Sequence, residues 1–198
     1  MTLNTKSPKV FLGIALVVFV FDQWSKWWAV GALTDTFKKN DAVAVMDFSE
    51  KISRFWSYKH PTTIDRISVL DNFWHYTYAE NPGAAWSFLA DADPAFRDPF
   101  FTLVSILAMV FIVVYFRKST PEQHIQRIAL SMIFGGAIGN FFDRIRLSYV
   151  IDFIQWHWYN KASWPIFNIA DACISVGVVL LLLEMAFVKQ PKPVTNKV

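Results

Sequence analysis

The chain holds a single cysteine, Cys173, among its 198 residues. That excludes an intramolecular disulfide and any cysteine-rich metal centre. Charge is also scarce: 18% of residues are Asp, Glu, Lys or Arg, against roughly 25% in an average soluble protein. The net charge is +3 and the basic residues are scattered, so the concentrated positive surface that nucleic acid demands is missing. The four histidines, His60, His75, His124 and His157, are dispersed and lack a metal-ligand spacing such as H-E-x-x-H, which leaves them polar or interfacial roles. Ser87 has no His and Asp arranged around it in a recognisable triad. No internal repeat or low-complexity segment breaks the chain. Lys6 and Lys9 precede an apolar run as in a secretory leader, but no small-residue cleavage site follows it. The run continues into Asp22 and Lys26, so it reads as a retained first helix.

What is abundant is apolar: 54% of residues are hydrophobic and 17% aromatic, clustered in runs long enough to cross a hydrocarbon core of about 30 Å. Four spans are expected, over residues 10–33, 99–116, 122–142 and 165–188, in one integral membrane domain covering 1–198. Thr120-Pro121-Glu122-Gln123 reads as the start of the third span, with Thr as cap, Pro in the first turn and Gln closing a box. Gly135 and Gly139, four apart, offer a small-residue face to a neighbouring helix. Trp24, Trp27, Trp28, Trp156, Trp158 and Trp164 suit the headgroup level.

The longest polar interval runs from Thr34 to Pro99. Val45, Phe48, Ile52, Phe55 and Trp56 recur at helical spacing among charged residues, which predicts an amphipathic helix on the membrane surface or packed on the protein. Asn72–Glu80 reads as a strand. Asn81-Pro82-Gly83-Ala84 reads as a tight turn, with Pro presetting one central position and Gly supplying positive φ at the next. Residues 84–88 read as a returning strand or a loop.

Acids inside such a chain are costly and mark function by default. Asp22 and Lys26 share a helix face and can pair, either anchoring the helix end or supporting a site. Asn140, Asp143 and Arg144 lie three and four apart, giving Asp143 a cation beside it and a scaffolding role. Asp152 falls in the apolar link 149–154, and Asp171 about five residues into the last span, with Asn168 on its face. Asn168 can orient a carboxylate or satisfy backbone groups at the helix start. If Asp152 and Asp171 meet, repulsion and low dielectric leave them sharing one proton. One acid can then take a proton from water while the other donates to a peptide carbonyl. No metal or nucleotide is required by that chemistry. Cys173, two residues on, points elsewhere and reads as a packed small hydrophobe. Glu184 lies near the other end of its span and reads as snorkelling to water or pairing there.

Four spans put both termini on one side. Lys6, Lys9, Arg117, Lys118, Arg127, Lys189, Lys192 and Lys197 fall there, which the positive-inside rule makes cytoplasmic. The acids named above, Glu184 apart, then gather at the opposite face together with Asn81. Seven basic residues between Lys38 and Arg97 lie in an interval long enough for the rule to lose force.

Five motifs appear in order: D-Q-W-S-K at 22–26, N-P-G-A-A-W-S at 81–87, G-G-A-I-G-N-F-F-D-R at 135–144, V-I-D-F at 150–153 and F-N-I-A-D at 167–171. Together they resemble those of the bacterial lipoprotein signal peptidases, the signal peptidase II family, over most of Val10–Val188. The resemblance implies a fold of four transmembrane helices with a small extracytoplasmic β-cradle and a short peripheral helix. It implies a metal-free aspartic endopeptidase that cuts a prolipoprotein just before a diacylglyceryl-modified cysteine, in a bacterial inner membrane. The V-x-D-F and F-N-x-A-D motifs assign the catalytic roles to Asp152 and Asp171. Substrate-contacting or supporting roles follow for Asp22, Lys26, Asn81, Gly83, Asn140, Asp143, Arg144, Asn168 and Ala170. For Asn81 and Gly83 the residues alone leave two readings open: amide and backbone groups offered to an extended peptide, or a simple turn. Expected partners are the prolipoprotein and membrane lipid, with the protein itself a monomer.

Trp86 stands where the family has Phe, and about 35–63 reads as an extracytoplasmic insertion whose aromatic helix is expected to lie near the site and influence substrate access. Two rivals remain at this stage: a small multi-pass transporter or proton relay, whose acids would spread through the bilayer depth, and a catalytically inactive scaffold.

Overall fold

The computed structural model describes residues 8–38, 46–57, 60–83, 88–159 and 161–187. Four helices are long and apolar enough to cross a membrane: α1 (Pro8–Leu33), α3 (Pro94–Lys118), α4 (His124–Leu147) and α5 (Ile169–Phe187). A shorter helix, α2 (Phe48–Ser57), and an antiparallel sheet complete the fold. The sheet runs in the order β1 (Arg66–Leu70), β2 (Trp74–Asn81), β3 (Val150–Trp158), β4 (Ala162–Ser163).

Helix α4 is central, with α1 on one side and α5 on the other. Glycines make both approaches possible. A Cβ on Gly135 would stand 2.6 Å from the Ala15 carbonyl oxygen of α1, and one on Gly136 2.6 Å from that of Ala170 in α5. Gly139 faces α1 as well, so the predicted small-residue face is the α1–α4 seam. Side chains that turn outward from α1, α3 and α5 are large and apolar, as lipid contact requires.

The helix ends differ from the sequence expectation in three places. Helix α3 begins at Pro94, five residues before position 99, because Asp93 caps it by accepting from the Ala95 amide at 2.8 Å; Pro99 lies inside it. Helix α4 begins at His124, after a turn at Thr120–Gln123. The Gln123 side chain still reaches back to the Thr120 amide at 2.7 Å, but Thr120 is not the cap. The helix runs on to Leu147, where Ser148 adopts a left-handed conformation (φ 69°) and its amide returns to the Arg144 carbonyl at 2.9 Å. Helix α5 begins at Ile169 and not at Pro165, because Phe167 is engaged by β3: its amide donates to Ile154 O at 3.0 Å and its carbonyl accepts from Ile154 N at 2.8 Å.

The predicted strand at 72–80 is β2. The other three strands went unread, β3 above all, because Val150–Ile154 is buried residue after residue; a strand covered on both faces has no apolar–polar alternation to betray it. Asp152 therefore sits on a strand and not in a loop. The Asn81 turn exists, with the Asn81 side chain accepting from Gly83 N at 3.1 Å. Gly83 does not supply positive φ, however. It is glycine because a Cβ there would stand 2.5 Å from the Phe88 carbonyl oxygen. Residues 84–87, including Trp86, lie outside the described residues, as do Val45 and the tail from 188.

Candidate active site

The site forms where the outer turns of α1, α4 and α5 meet β2 and β3. Asp171 is the third residue of α5, not the fifth of a longer helix. Asn168 is the cap: its side-chain oxygen accepts from the Asp171 amide at 3.0 Å, and the Asp171 carboxylate accepts from the Asn168 amide at 3.2 Å. This is a reciprocal capping box with Asn at the cap and Asp three residues on. The box fixes the Asp171 side chain at the positive end of the helix dipole.

Asp152 is 2% exposed and stands opposite Ala79 in the β2–β3 ladder. Asn81, two residues beyond Ala79, projects on the same sheet face and reaches the carboxylate diagonally; its amide donates at 3.0 Å. The other Asp152 oxygen accepts the Asn168 amide at 2.7 Å. Asn168 thus performs both of its expected roles, capping α5 with its oxygen and orienting a carboxylate with its nitrogen. Burial, and after it the negative charge of Asp171, push the Asp152 carboxyl up to about 7.

Below the two acids lies a buried polar layer. Asn140 donates to Asp171 at 2.7 Å and accepts from Asn168 at 3.1 Å and Lys26 at 3.1 Å. Lys26 is wholly buried between Asp22 at 2.9 Å and Asp143 at 2.8 Å. Because an ammonium can only donate, Lys26 forces the Asn140 oxygen toward itself and the amide nitrogen toward Asp171. Asp22 also accepts from the Ala170 amide at 3.0 Å, tying α1 to the start of α5. The Asp22–Lys26 pair therefore supports the site and does more than anchor a helix end.

The expected partner of Asp143 is corrected. Its cations are Lys26 and Arg146, the latter at 3.4 Å, and it accepts from the Ile151 amide at 3.2 Å. Adjacent helical residues point about 100° apart, so Arg144 turns away from Asp143. Arg144 donates to the Gly83 carbonyl at 3.0 Å and lines the cavity. Gln23 was missed: its amide reaches Asp22 at 3.1 Å, Asp143 at 3.2 Å and the Gly139 carbonyl at 3.3 Å. Its place inside D-Q-W-S-K was the available signal.

Asp152 and Asp171 both line one cavity of about 840 Å³. Asn140 and Arg144 form its floor, Trp156 and Trp164 part of its wall, and Ile174 and Val176 carry that wall onto the apolar surface of α5. One end of the chamber is thus polar and acidic, the other continuous with the lipid-facing side of a helix. None of the residues of α2 lines it; Phe55 of that helix packs instead against Arg146. Arg144 and Arg146 lie roughly 200° apart around α4, the first facing the cavity and the second facing α2.

A family model described as signal peptidase (SPase) II matches residues 14–187. The chain belongs to the signal peptidase II family. It is 44% identical over 183 residues to the lipoprotein signal peptidase of Anaeromyxobacter sp. (strain Fw109-5), covering 90% of this chain and 85% of that one. It is 36% identical over 171 residues to that of Cellvibrio japonicus (strain Ueda107), covering 86% and 82%. A solved structure described as a bacterial membrane enzyme, at 2.3 Å resolution, superimposes with a TM-score of 0.64 at 28% identity, over 92% of this chain and 93% of that one. This member of the family is a peptidase held in a membrane by four apolar helices, with a small antiparallel sheet beside them, as the five motifs implied.

Proposed function

We propose that Asp152 and Asp171 are the catalytic pair of this signal peptidase II, cleaving a prolipoprotein before its diacylglyceryl-modified cysteine. The single observation that carries the reading is that both carboxylates line one cavity and are held by one residue, Asn168. A pair that retains one proton supplies both halves of the chemistry. The ionised oxygen takes a proton from a water as that water attacks the scissile carbonyl, and the protonated acid donates to the carbonyl oxygen. Collapse of the resulting diol returns a proton to the leaving amine. Asn81, Asn140 and Asn168 hold the two acids, and Arg144 keeps the Gly83 carbonyl at the rim, where an extended peptide would pass. The apolar wall at Ile174 and Val176 would take the lipid tails of the substrate.

The site belongs to the extracytoplasmic face of a bacterial inner membrane, with both termini cytoplasmic and a monomer as the working unit. Arg117, Lys118 and Arg127 at the opposite end of the bundle support that orientation. The chain 1–198 is one peptidase domain, with an extracytoplasmic insertion at about 35–63. A transporter would need acids through the bilayer depth; here one buried polar layer lies at the dyad end, and among the described residues Glu184 is the only acid buried toward the other.

The test is direct. Purified protein incubated with a diacylglyceryl-modified precursor should release a product with a new N-terminal cysteine, read by mass spectrometry. Asp152→Asn and Asp171→Asn should each remain folded and membrane-inserted yet lose cleavage by at least about a thousandfold, the scale on which one indispensable catalytic group acts. Normal cleavage by either variant would overturn the assignment of roles.

A further inference from the structure

Helix α2 stands apart from the catalytic chamber. Asp47 caps it, accepting from the Glu50 amide at 2.8 Å, while the Glu50 side chain returns to the Asp47 amide at 2.9 Å. Its apolar residues Phe48, Ile52, Phe55 and Trp56 occupy an arc of roughly 100°. One edge of that arc is docked on the protein. Phe55 lies 5.1 Å from the Trp27 ring of α1 and stacks under the Arg146 guanidinium at 4.1 Å, and Arg146 also donates to the Phe55 carbonyl. The rest is open: Phe48 is 74% exposed, Ile52 47% and Trp56 56%.

These three side chains continue the lipid-facing belt of the bundle. Phe48 meets Trp27 at 6.1 Å, and Trp56 meets Phe142 of α4 edge-on at 5.6 Å. On the same stretches of α1 and α4, Phe21, Trp24 and Ile145 are exposed and apolar. Trp27 lies six residues before the end of α1 and Phe142 five before the end of α4, roughly 8–9 Å below the helix ends at 1.5 Å per residue. That is headgroup depth, where such a helix lies flat. Three side chains are far short of the roughly 800 Å² per partner that a stable protein interface buries. The polar arc and cap carry two acids and two bases, Asp47, Glu50, Lys51 and Arg54, so no anionic lipid is called for.

We propose that α2 is an interfacial helix that lays Phe48, Ile52 and Trp56 into the headgroup–acyl boundary at the dyad end of the bundle. Its docked edge passes that footing to the buried layer: Arg146 is gripped by Phe55 on one side and pairs with Asp143 on the other. The helix thereby braces the site from behind, at a distance from the substrate.

The test reads depth and not cleavage, so its failure is distinct from failure of the proposed chemistry. In a Cys173→Ser background, nitroxide labels at Ile52→Cys and, as the polar-face control, Ser53→Cys are compared in phosphatidylcholine nanodiscs. The label at 52 should relax more with oxygen than with a water-soluble nickel chelate, and the label at 53 the reverse. Nickel-dominated relaxation at 52 would overturn the proposal, as would dipolar broadening between copies, which points to a second chain as the occupant. Should the Cys173→Ser background fail to fold, a benzoyl-phenylalanine at position 48 of the otherwise unaltered chain gives the same reading. A lipid adduct supports the proposal; a chain–chain adduct, or none, overturns it.

Discussion

Asn168 donates its side-chain amide to Asp152 at 2.7 Å across sixteen residues of chain. The same side chain caps the amide of Asp171, so one residue sets the spacing between a strand carboxylate and a helix carboxylate. Asn168→Ala should leave a folded protein whose kcat falls while KM changes little, because the peptide does not depend on Asn168 for binding. A hydrogen bond to a charged group is worth about 1.5–3 kcal/mol, so a loss of about ten- to 150-fold is expected. Steady-state cleavage of a lipidated precursor measures it, and a change confined to KM would refute the positioning role.

The Asp152 carboxyl, raised to about 7 by burial and by Asp171, links stability to pH. The unfolded chain gives up this proton near pH 4, whereas the folded protein keeps it to about 7. Between those values the folded state binds more protons, so stability declines as pH rises from about 4 to about 7. Asp152→Asn should abolish that slope and be the more stable chain at pH 8, by a few kcal/mol at most. Thermal midpoints of both proteins at pH 5 and pH 8 would show it; parallel slopes would remove the linkage. Cleavage by the parent should hold through that window and decline as pH rises through about 7, where the folded protein gives up the shared proton.

Removing one partner from a buried ion pair leaves the other charge stranded, at a cost of about 3–5 kcal/mol. Asp143→Asn takes one of its two carboxylates from Lys26, which keeps Asp22, and removes the carboxylate that Arg146 pairs with. Its expected signature is a lowered thermal midpoint and reduced yield, with the fraction that does fold retaining cleavage. A fully stable but inactive Asp143→Asn would mean that this acid takes part in the chemistry.

Gly139 separates the seam from the site. A Cβ there would stand 2.5 Å from the Asp22 carboxylate, whereas one on Gly13 meets nothing within 4 Å. Gly139→Ala should destabilise by about 1–3 kcal/mol, the usual scale of overpacking, and Gly13→Ala should be silent. Unfolding of the two variants in detergent compares them directly.

The long apolar runs made the four spans legible, since little else explains four stretches of twelve to eighteen uncharged, mostly apolar residues. Their ends were not, because caps and competing contacts decide them: Asp93 draws α3 back toward the N-terminus, and Phe167 pairs with β3 and delays α5. The acids were legible by their cost in an apolar chain. Their partners were not, because Lys26 and Asp143 lie far apart in sequence and only the α1–α4 seam brings them together. Spacing on one helix suggested Arg144 instead, and adjacency along a helix is not proximity of side chains. Asn168 was legible as a group that could serve the helix start, but its reciprocal box with Asp171 was not, because the span was expected to begin at Pro165.

The β2–β3 ladder carries one more implication. Successive strand residues face opposite ways, and Asn81 shares the face of Asp152 because Ala79, two residues before it, stands across from that acid. Chain added between Leu33 and Arg66, where α2 lies, leaves that correspondence untouched. A residue gained or lost between Ala79 and Asn81 would instead turn the Asn81 amide away from Asp152 while every helix kept its place. Length variation among relatives should therefore accumulate ahead of the sheet and stop abruptly at Trp74.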